Sequence, residues 1–590
     1  MALLVQKFGG TSVGSVKRIQ SVAKRILAIR DLGYDLVIVV SAMGHTTDEL
    51  TGLAQSISNN PPQREMDMLL ATGEQVSIAL LSIALHELGV PAVSMTGTQV
   101  GIVTESSHGG ARILEVRTER IKQKLDDGQI VVVAGFQGTS LSSGGTAEIT
   151  TLGRGGSDTS AVALATALNA EACEIYTDVP GVLTTDPRKV ENAQLIPTLS
   201  CDEMLELASL GAAVLHPRAV ELARNYGVLL RVKSSWTNGP GTTLTNKSQR
   251  SHGREGLELG RPVDGLELIE KQAVLGLSQV PDQPGIAADL FENLSDQGVN
   301  VDLIIQATHK GNSNDITFTV DEIELPKAKQ ICERVLKKIG GELLAQTGMA
   351  KISISGAGIM GRPGIAATLF DTLSRKGVNL RLIATSEVKV SCVIDASFGV
   401  KSLRAITEAF ELDDNQIKIN PPESGVGEAE VRGVALDPYQ SQVCVRGVPD
   451  KPGIAAALCS ALADAGISLD AIVQSERQQI NGDRDISFTL KKTDRPKAGN
   501  ALCPLLAKWP GSQLEDGPEI TRVSAVGSGM PATPGTAGRM FRALADAKIN
   551  IAMITTSEIR TSCVVAKTDG LSALQAVHNH FNLGEERKKK

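Results

Sequence analysis

The sequence predicts an α/β protein: a three-layer αβα first half with a largely parallel central sheet, then four α+β units of βαββαβ order. Three observations carry that expectation. Short apolar runs that do not alternate (Leu36 to Val40, Val131 to Ala134, Glu174 to Tyr176, Val228 to Val232) imply strands covered on both faces. Helical patterns lie between them, notably Ser77 to Leu88, Arg112 to Leu125 and Ser160 to Leu168. In the second half, a Pro-Gly pair opening an amphipathic helix returns four times at nearly domain-sized intervals.

Composition bounds the possibilities. With 590 residues, 42% apolar and 21% charged, the chain has the make-up of an ordinary multi-domain globular protein. A net charge of -7 gives no general electrostatic reason to bind nucleic acid or an anionic membrane, and neither partner is expected. The eight cysteines include no Cys-x-x-Cys, and Cys173, Cys392, Cys444, Cys459 and Cys563 lie in apolar runs, as buried free thiols do in a reducing compartment. No signal peptide, basic presequence or apolar stretch of membrane length is read, so a cytoplasmic protein is expected.

The first half is organised around Lys7-Phe8-Gly9-Gly10-Thr11-Ser12-Val13-Gly14, between the apolar run Leu3 to Val5 and a periodic one from Val16 to Leu27. Strand, glycine turn and helix suit a phosphate cradle: glycines admit a bulky anion, helix starts offer N–H groups, and Lys7 adds charge. It has neither the Walker A ending nor the Gly-x-Gly-x-x-Gly spacing. Ser41 to Asp48 follows the next strand with several hydroxyls. Leu70 to Gln75 reads as a helix start with Glu74 in its first turn. Thr150 to Ser160 carries Arg154 and Asp158 around a glycine turn, one charge for a substrate carboxylate and one for an ammonium, a pairing suited to an amino acid. Tyr176 to Arg188 is a loop that would clasp a nucleotide. His216, before Pro217, reads as a local hydrogen-bonding residue.

Taken together, Lys7-Phe-Gly-Gly-Thr-Ser-Val, Val40-Ser-Ala-Met-Gly, Gly73-Glu74, Gly153-Arg-Gly-Gly-Ser-Asp, Tyr176-Thr-Asp-Val-Pro-Gly and Leu215-His-Pro resemble the aspartate kinase family, whose catalytic part has the amino acid kinase fold. The resemblance implies transfer of the γ-phosphoryl group of ATP to the side-chain carboxylate of L-aspartate. It assigns Lys7, Phe8, Gly9, Gly10, Thr177, Asp178, Leu183, Asp186, Arg188, Ser235 and Trp236 to ATP, and Ser41, Thr47, Glu74, Arg154, Ser157 and Asp158 to aspartate, with Lys7, Arg154 and Asp158 catalytic. Family members often have a charged residue where Trp236 stands. Magnesium would ride on ATP, with no protein ligand cage. A kinase of glutamate, or a non-catalytic sensor of amino acid and nucleotide, is the alternative.

After a linker at 246–261 the Pro-Gly pairs begin at 284, 363, 452 and 534. Each opens a helix with Leu290, Leu369, Leu458 or Met540 inward, and Leu294, Leu373, Leu462 or Leu544 one turn on. An alternating strand follows, Asn300 to Gln306 in the first unit. Units one and three are alike, as are two and four, so a two-domain module is duplicated. These units resemble ACT domains, expected at 262–345, 346–425, 426–515 and 516–590 after a catalytic domain at 1–245. Most family members carry two. The resemblance implies amino-acid effectors, lysine and threonine, at seams between units: Asp282, Gly285, Ala287 and Gln306 with Asn379 and Leu380, and Asp450, Gly453, Ala455 and Gln474 with Asn550 and Ile551. It also implies a homodimer or higher homo-oligomer through the ACT units. Residues 582–590 read as a frayed tail.

Overall fold

The computed structural model describes residues 2–141, 147–211, 214–246, 257–258, 260, 262–309, 313–357, 359, 362, 364–421, 430–474, 483–528, 530, 533 and 535–585. Most of the expected linker, Pro363, Pro534, the loop 475–482 and the tail from 586 lie outside them. The chain forms two compact units: residues 1–183, 195–204 and 213–260, and residues 184–194, 205–212 and 261–590.

In chain order the first half runs β1 (Leu3–Phe8), α1 (Val16–Arg30), β2 (Asp35–Val40), α2 (Thr46–Ile57), α3 (Gln63–Glu87), β3 (Ala92–Met95), β4 (Ile102–Thr104), β5 (Ile113–Val116), α4 (Glu119–Asp126), β6 (Ile130–Ala134), β7 (Gln137–Leu141), β8 (Ala147–Thr151), α5 (Gly156–Ala167), β9 (Ala172–Thr177), β10 (Thr198–Ser200), α6 (Cys201–Ser209), α7 (Pro217–Tyr226), β11 (Leu230–Ser234) and β12 (Thr242–Thr245). The main sheet has the order β10-β12-β11-β9-β1-β2-β6-β3, parallel except at β11–β12. Three of the four non-alternating runs became strands of it buried on both faces, as such runs require; of the fourth only Leu230 to Val232 is strand, and in β11 the buried Leu230, Val232 and Ser234 alternate with half-buried Arg231 and Lys233. A smaller sheet, β5-β4-β7-β8, stands beside it.

Three local expectations are corrected. Arg112 to Leu125 is not one helix: Ile113–Val116 pairs with β4, and α4 begins only at Glu119. Buried Ile113 and Val116 prefer the pleated sheet. Glu74 does not lie in a first helical turn, because α3 starts at Gln63 and runs through it. Gly73 sits mid-helix, where a Cβ would come within 2.9 Å of the Ala42 Cβ, so glycine lets the loop after β2 approach. And α3, 25 residues long with an 18-residue window of mean hydropathy 1.7, is long and apolar enough to cross a membrane, contrary to the reading that no such stretch exists. It packs against β3 and β6 and carries buried Asp67 and Glu74, as a core helix does.

The second half continues with β13 (Gly265–Pro281), α8 (Ile286–Asp296), β14 (Ile304–His309), β15 (Ser313–Asp321), α9 (Leu325–Ile339), β16 (Glu342–Ser355), α10 (Ile365–Arg375), β17 (Leu382–Thr385), β18 (Lys389–Asp395), α11 (Gly399–Phe410), β19 (Ile417–Ile419), β20 (Glu430–Asp437), β21 (Gln440–Pro449), α12 (Ile454–Asp464), β22 (Ala471–Gln474), β23 (Asp483–Lys491), α13 (Arg495–Leu506), β24 (Gln513–Asp516), β25 (Ile520–Ser528), α14 (Thr536–Asp546), β26 (Met553–Thr556), β27 (Arg560–Ala566) and α15 (Gly570–His580). This is four repeats of antiparallel strands and two helices. The first repeat's second strand is shorter than expected: Asn300 to Leu303 is irregular and β14 begins at Ile304. All eight inward helix positions named above are buried. Helices α8, α10, α12 and α14 each follow a glycine with φ between 96° and 102°, a conformation that favours glycine over any residue with a Cβ.

The repeats do not pair in sequence order. β14 of the first repeat joins β26 of the fourth, antiparallel, and α8 packs on α14. The second repeat meets the third instead, with α10 on α12. One continuous sheet results, β17-β18-β16-β13-β15-β14-β26-β27-β25-β20, while the third repeat keeps its own, β22-β23-β21-β24.

Buried charge sits deep in this second unit. The Arg560 guanidinium, 1% exposed, donates to Glu206 Oε2 at 2.8 Å and to the Thr385 carbonyl at 3.0 Å. Glu206 also accepts from the Glu387 N–H at 3.0 Å. Beside it Arg522 pairs with Asp437 at 3.2 Å and with Asp470. Burial together with Glu206 and Asp470 pushes the Glu387 carboxyl up to about 8. Removing one partner strands the other's charge, so Arg560→Ala should cost about 3–5 kcal/mol in urea unfolding, whereas Arg560→Met with Glu206→Met should recover most of it.

Candidate functional site

Lys7 leaves the centre of the main sheet, at the carboxyl end of β1 between β2 and β9. Its Nζ lies 2.6 Å from Asp158 Oδ1, and both side chains are nearly enclosed, at 12% and 11% exposure. Asp158 occupies the first turn of α5, where the helix dipole favours an anion. The turn before α5 is tight: Gly155 has φ 70°, and a Cβ there would lie 2.1 Å from the His216 ring. Ser157 is buried beside Gly135, whose missing Cβ leaves it room. Arg154, at the turn, is exposed and makes no ion pair among the described residues.

The glycine turn after β1 is closed by its own backbone. Ser12 and Val13 donate to the Gly9 carbonyl, at 2.9 and 3.3 Å, and the Gly9 N–H donates to the Tyr176 carbonyl at 3.3 Å. Gly9 thus spends on β9 the N–H expected for a phosphate. Helix α1 begins only at Val16, capped by Ser15, so its start is not the glycine turn itself. Gly10 is pressed against the loop after β2: a Cβ would come within 2.8 Å of the Ala42 carbonyl, and Gly44 donates to the Gly10 carbonyl at 3.0 Å. Ser41 and Thr47 flank that loop, both half-buried.

Glu74 reaches the same loop from α3, accepting from the Ala42 N–H at 3.1 Å. It is 3% exposed, and burial pushes its carboxyl up to about 7. Phe8 stacks on Tyr176 at 4.7 Å, tying β1 to β9 beneath the turn. On the other side Ser235 binds Ser12 through paired hydroxyls at 2.6 Å, and its N–H donates to the Thr177 carbonyl at 2.8 Å. The Arg18 guanidinium lies 4.8 Å over the exposed Trp236 ring. Thr177 donates to Asp178, and Leu183 forms a bridge to Leu195. The first unit therefore gathers Lys7, Asp158, Gly10, Glu74, Thr177 and Ser235 around the ends of β1, β2 and β9. Asp186 and Arg188 belong to the second compact unit, where they bind each other at 2.9 and 3.0 Å.

Sequence reading missed three buried polar clusters. Asp67 takes bonds from the Gly109 N–H, Thr151 and His108. Glu174 takes them from Gln6, Tyr176 and Lys233, which hold its carboxyl below the usual range against the burial that opposes them. Glu258, in the stretch expected to be linker, binds Arg218 through both oxygens and accepts from the Ile113 N–H. Apart from Tyr176, two residues from Glu174, every partner is 40 or more residues away in sequence, and only a lone carboxylate in an apolar run marks Asp67 or Glu174.

In the second unit the expected effector residues come together at two seams, with the partners exchanged. Asp282 accepts from Asn550 Nδ2 at 2.7 Å, and Gln306 donates to the Ile551 carbonyl at 2.7 Å, in a cleft of about 340 Å³ that Gly285 and Ala287 also line. Asp450 accepts from Asn379 Nδ2 at 3.0 Å, and Gln474 donates to the Leu380 carbonyl at 3.4 Å, in a cleft of about 370 Å³ with Gly453 and Ala455. The first repeat therefore shares its seam with the fourth, and the third with the second. The expectation of neighbours in sequence is corrected by the β14–β26 pairing and the α10–α12 packing.

Comparison with known proteins agrees with this architecture. The amino acid kinase family profile matches residues 2–234; ACT domain profiles match 274–336 and 445–502, and 352–410 and 523–581. The aspartokinase of Thermus thermophilus is 48% identical over 415 residues, 70% of this chain and 100% of that protein. That of Geobacillus stearothermophilus is 49% identical over 413 residues, 70% and 98% of the two chains. The crystal structure of aspartate kinase from Synechocystis superposes with a TM-score of 0.86 at 52% identity, covering 100% of both chains. With its three-layer kinase fold and duplicated ACT domains, this chain belongs to the aspartokinase family.

Proposed function

We propose that the protein transfers the γ-phosphoryl group of ATP to the side-chain carboxylate of L-aspartate, giving an acyl phosphate and ADP, under control of lysine and threonine at the ACT seams. The observation that carries the reading is the enclosed Lys7–Asp158 ion pair at 2.6 Å, at the carboxyl end of a central parallel strand.

The substrate carboxylate is ionised at neutral pH and needs no general base. Its oxygen attacks the γ-phosphorus while the bond to the β–γ bridging oxygen breaks, and that oxygen leaves with ADP. The obstacle is the approach of two anions, so catalysis rests on position and on cations. Lys7 supplies one on the transferring phosphoryl group, held in place by Asp158. Arg154 extends a second toward the aspartate α-carboxylate, with Ser41, Thr47 and Ser157 bearing hydroxyls. Glu74 and Asp158 provide negative charge for its ammonium. Magnesium enters with the nucleotide, on phosphate oxygens and water. Phe8, Gly9, Gly10, Thr177, Asp178, Leu183, Ser235 and Trp236 would surround ATP. The reading includes a homo-oligomer formed through the ACT units and a cytoplasmic location. It also keeps the domain limits at 1–245, 262–345, 346–425, 426–515 and 516–590, with 246–261 between.

A coupled assay of ADP release with aspartate, glutamate and acetylglutamate tests the reading, aspartate being the one expected to turn over. Lys7→Ala should lower kcat about a hundredfold or more in a protein that stays folded, destabilised by the unpaired Asp158; near-normal turnover in the folded variant rejects the role. Arg154→Ala should instead raise the aspartate KM about tenfold or more, with a smaller change in kcat.

Glu74 makes the pH dependence specific. Its carboxyl titrates near 7, so the aspartate KM should fall as pH rises from 6 to 8, and Glu74→Gln should flatten that profile. Stability moves the other way. A carboxyl raised from 4.5 to about 7 by burial holds its proton more tightly when folded, so its contribution is present below 4.5 and lost as pH rises through 7. Relative to Glu74→Gln, the wild type should lose about 3 kcal/mol across that window in chemical denaturation.

A further inference from the structure

We propose that Glu258, in the segment that joins the kinase domain to the first ACT unit, is a positioning residue for aspartate binding: through Arg218 it fixes the turn from which Arg154 projects. The proposal rests on the reading of Arg154 as the clamp on the aspartate α-carboxylate and deepens it.

Arg154 is exposed and stands between two left-handed glycines, Gly153 at φ 74° and Gly155 at φ 70°. Its side chain is only as well aimed as the backbone that enters so short a turn. That backbone is the end of β8 and Leu152, which is fully buried and donates its N–H to the Phe136 carbonyl at 2.8 Å. The Leu152 carbonyl accepts from Arg218 Nη1. Nη2 of the same guanidinium donates to the Ala111 carbonyl at 2.9 Å, and the Ala111 N–H donates to the Thr151 carbonyl at 2.9 Å. One planar fork therefore holds both chains at the point where the turn begins, two residues from Arg154.

The fork is aimed by a carboxylate. Arg218 Nε donates to Glu258 Oε1 and Nη2 to Oε2, each at 2.8 Å, the two-pronged geometry that fixes a guanidinium's plane. Glu258 is 7% exposed and anchored on Ile113 twice: Oε2 accepts from the Ile113 N–H at 2.7 Å, and its own N–H donates to the Ile113 carbonyl at 3.0 Å. The Leu257 N–H adds a bond to the Leu114 carbonyl at 3.1 Å. Main-chain bonds thus secure the segment, and the carboxylate is left to orient Arg218.

Glu258→Gln keeps the size of the side chain and those main-chain bonds. An amide cannot accept at both ends, so its NH2 faces either the guanidinium or the Ile113 N–H, donor against donor. The guanidinium is then free to turn, and the Leu152 carbonyl is left buried without its donor. The loss falls on aspartate, through Arg154, rather than on ATP, which is read at the ends of β1 and β9.

Steady-state kinetics of the full-length protein, by coupled release of ADP, test this. Glu258→Gln should raise the aspartate KM about fivefold, with a smaller change in kcat and none in the ATP KM. In an Arg154→Ala background the same substitution should leave the aspartate KM where Arg154→Ala alone puts it, because the group it positions is gone. Arg218→Lys is the second variant. It keeps a cation beside Glu258 but cannot span two carbonyls, and the same pattern is expected; if Glu258→Gln does not fold, Arg218→Lys alone decides. An aspartate KM unmoved by both variants, or raised equally with and without Arg154, overturns the proposal, the pair then serving only to fasten the segment. An aspartate KM unmoved by Arg154→Ala itself overturns the clamp reading, and this one with it.

Discussion

A lysine at a strand end and an aspartate in the first turn of a helix hold each other across 2.6 Å, and the first unit is arranged to make that possible. Lys7 is placed by the parallel pairing of β1 with β2 and β9, so it stands where loops converge rather than on a sheet face. Asp158 is placed by α5, buried over nearly its whole length beneath those strands. A cation so enclosed would be costly alone; the helix-start carboxylate makes it tolerable and keeps it aimed. The glycines at 10, 73 and 155 serve the same end. At each, a Cβ would collide with the Ala42 carbonyl, the Ala42 Cβ or the His216 ring, and the loops around the lysine close up because no Cβ is there.

The second unit solves a different problem with repeated parts. Four copies of one helix start, each on a glycine near φ 100°, produce equivalent N-terminal ends. Which ends face which is decided by strand edges. Once β14 accepts β26, the first repeat is committed to the fourth, and the two middle repeats are left to each other. Duplication followed by nested pairing gives two seams with one scaffold, and substitutions at a few lining positions are then free to make them unlike.

Strand positions in the first unit were legible because a doubly covered strand must be continuously apolar, and Leu36 to Val40 could hardly be anything else. Helix starts of the repeats were legible for a similar reason, since proline and glycine have few other uses in that order. What failed was local competition and long-range partnership. Arg112 to Leu125 shows both periods at once, and only the presence of β4 decides for a strand at Ile113. Glu74 looked like a helix-start acid, but the residues before it continue the helix back to Gln63. The seam residues were named individually from resemblance, yet the partners named with them were exchanged, because nothing along a chain says which of four similar edges closes on which. The Lys7–Asp158 contact was equally invisible: two residues assigned to different ligands turned out to bind one another.

The buried Glu206–Arg560 pair bears on how the repeats are held as one body. Glu206 contacts the fourth repeat through Arg560 and the second through the Glu387 N–H, so one carboxylate is bonded to a member of each seam pair. Arg560 in turn donates to the Thr385 carbonyl, and Thr385 donates through its hydroxyl to the Asp470 carbonyl of the third. Burying this much charge is a poor way to gain stability, since apolar residues of equal volume would do as well or better. What charge supplies instead is directionality: a guanidinium between a carboxylate and a carbonyl tolerates little displacement before bonds are lost with no water to replace them. Repeats joined in this manner shift together or not at all, and such discreteness is what a coupling free energy between separate ligand sites requires of the material between them.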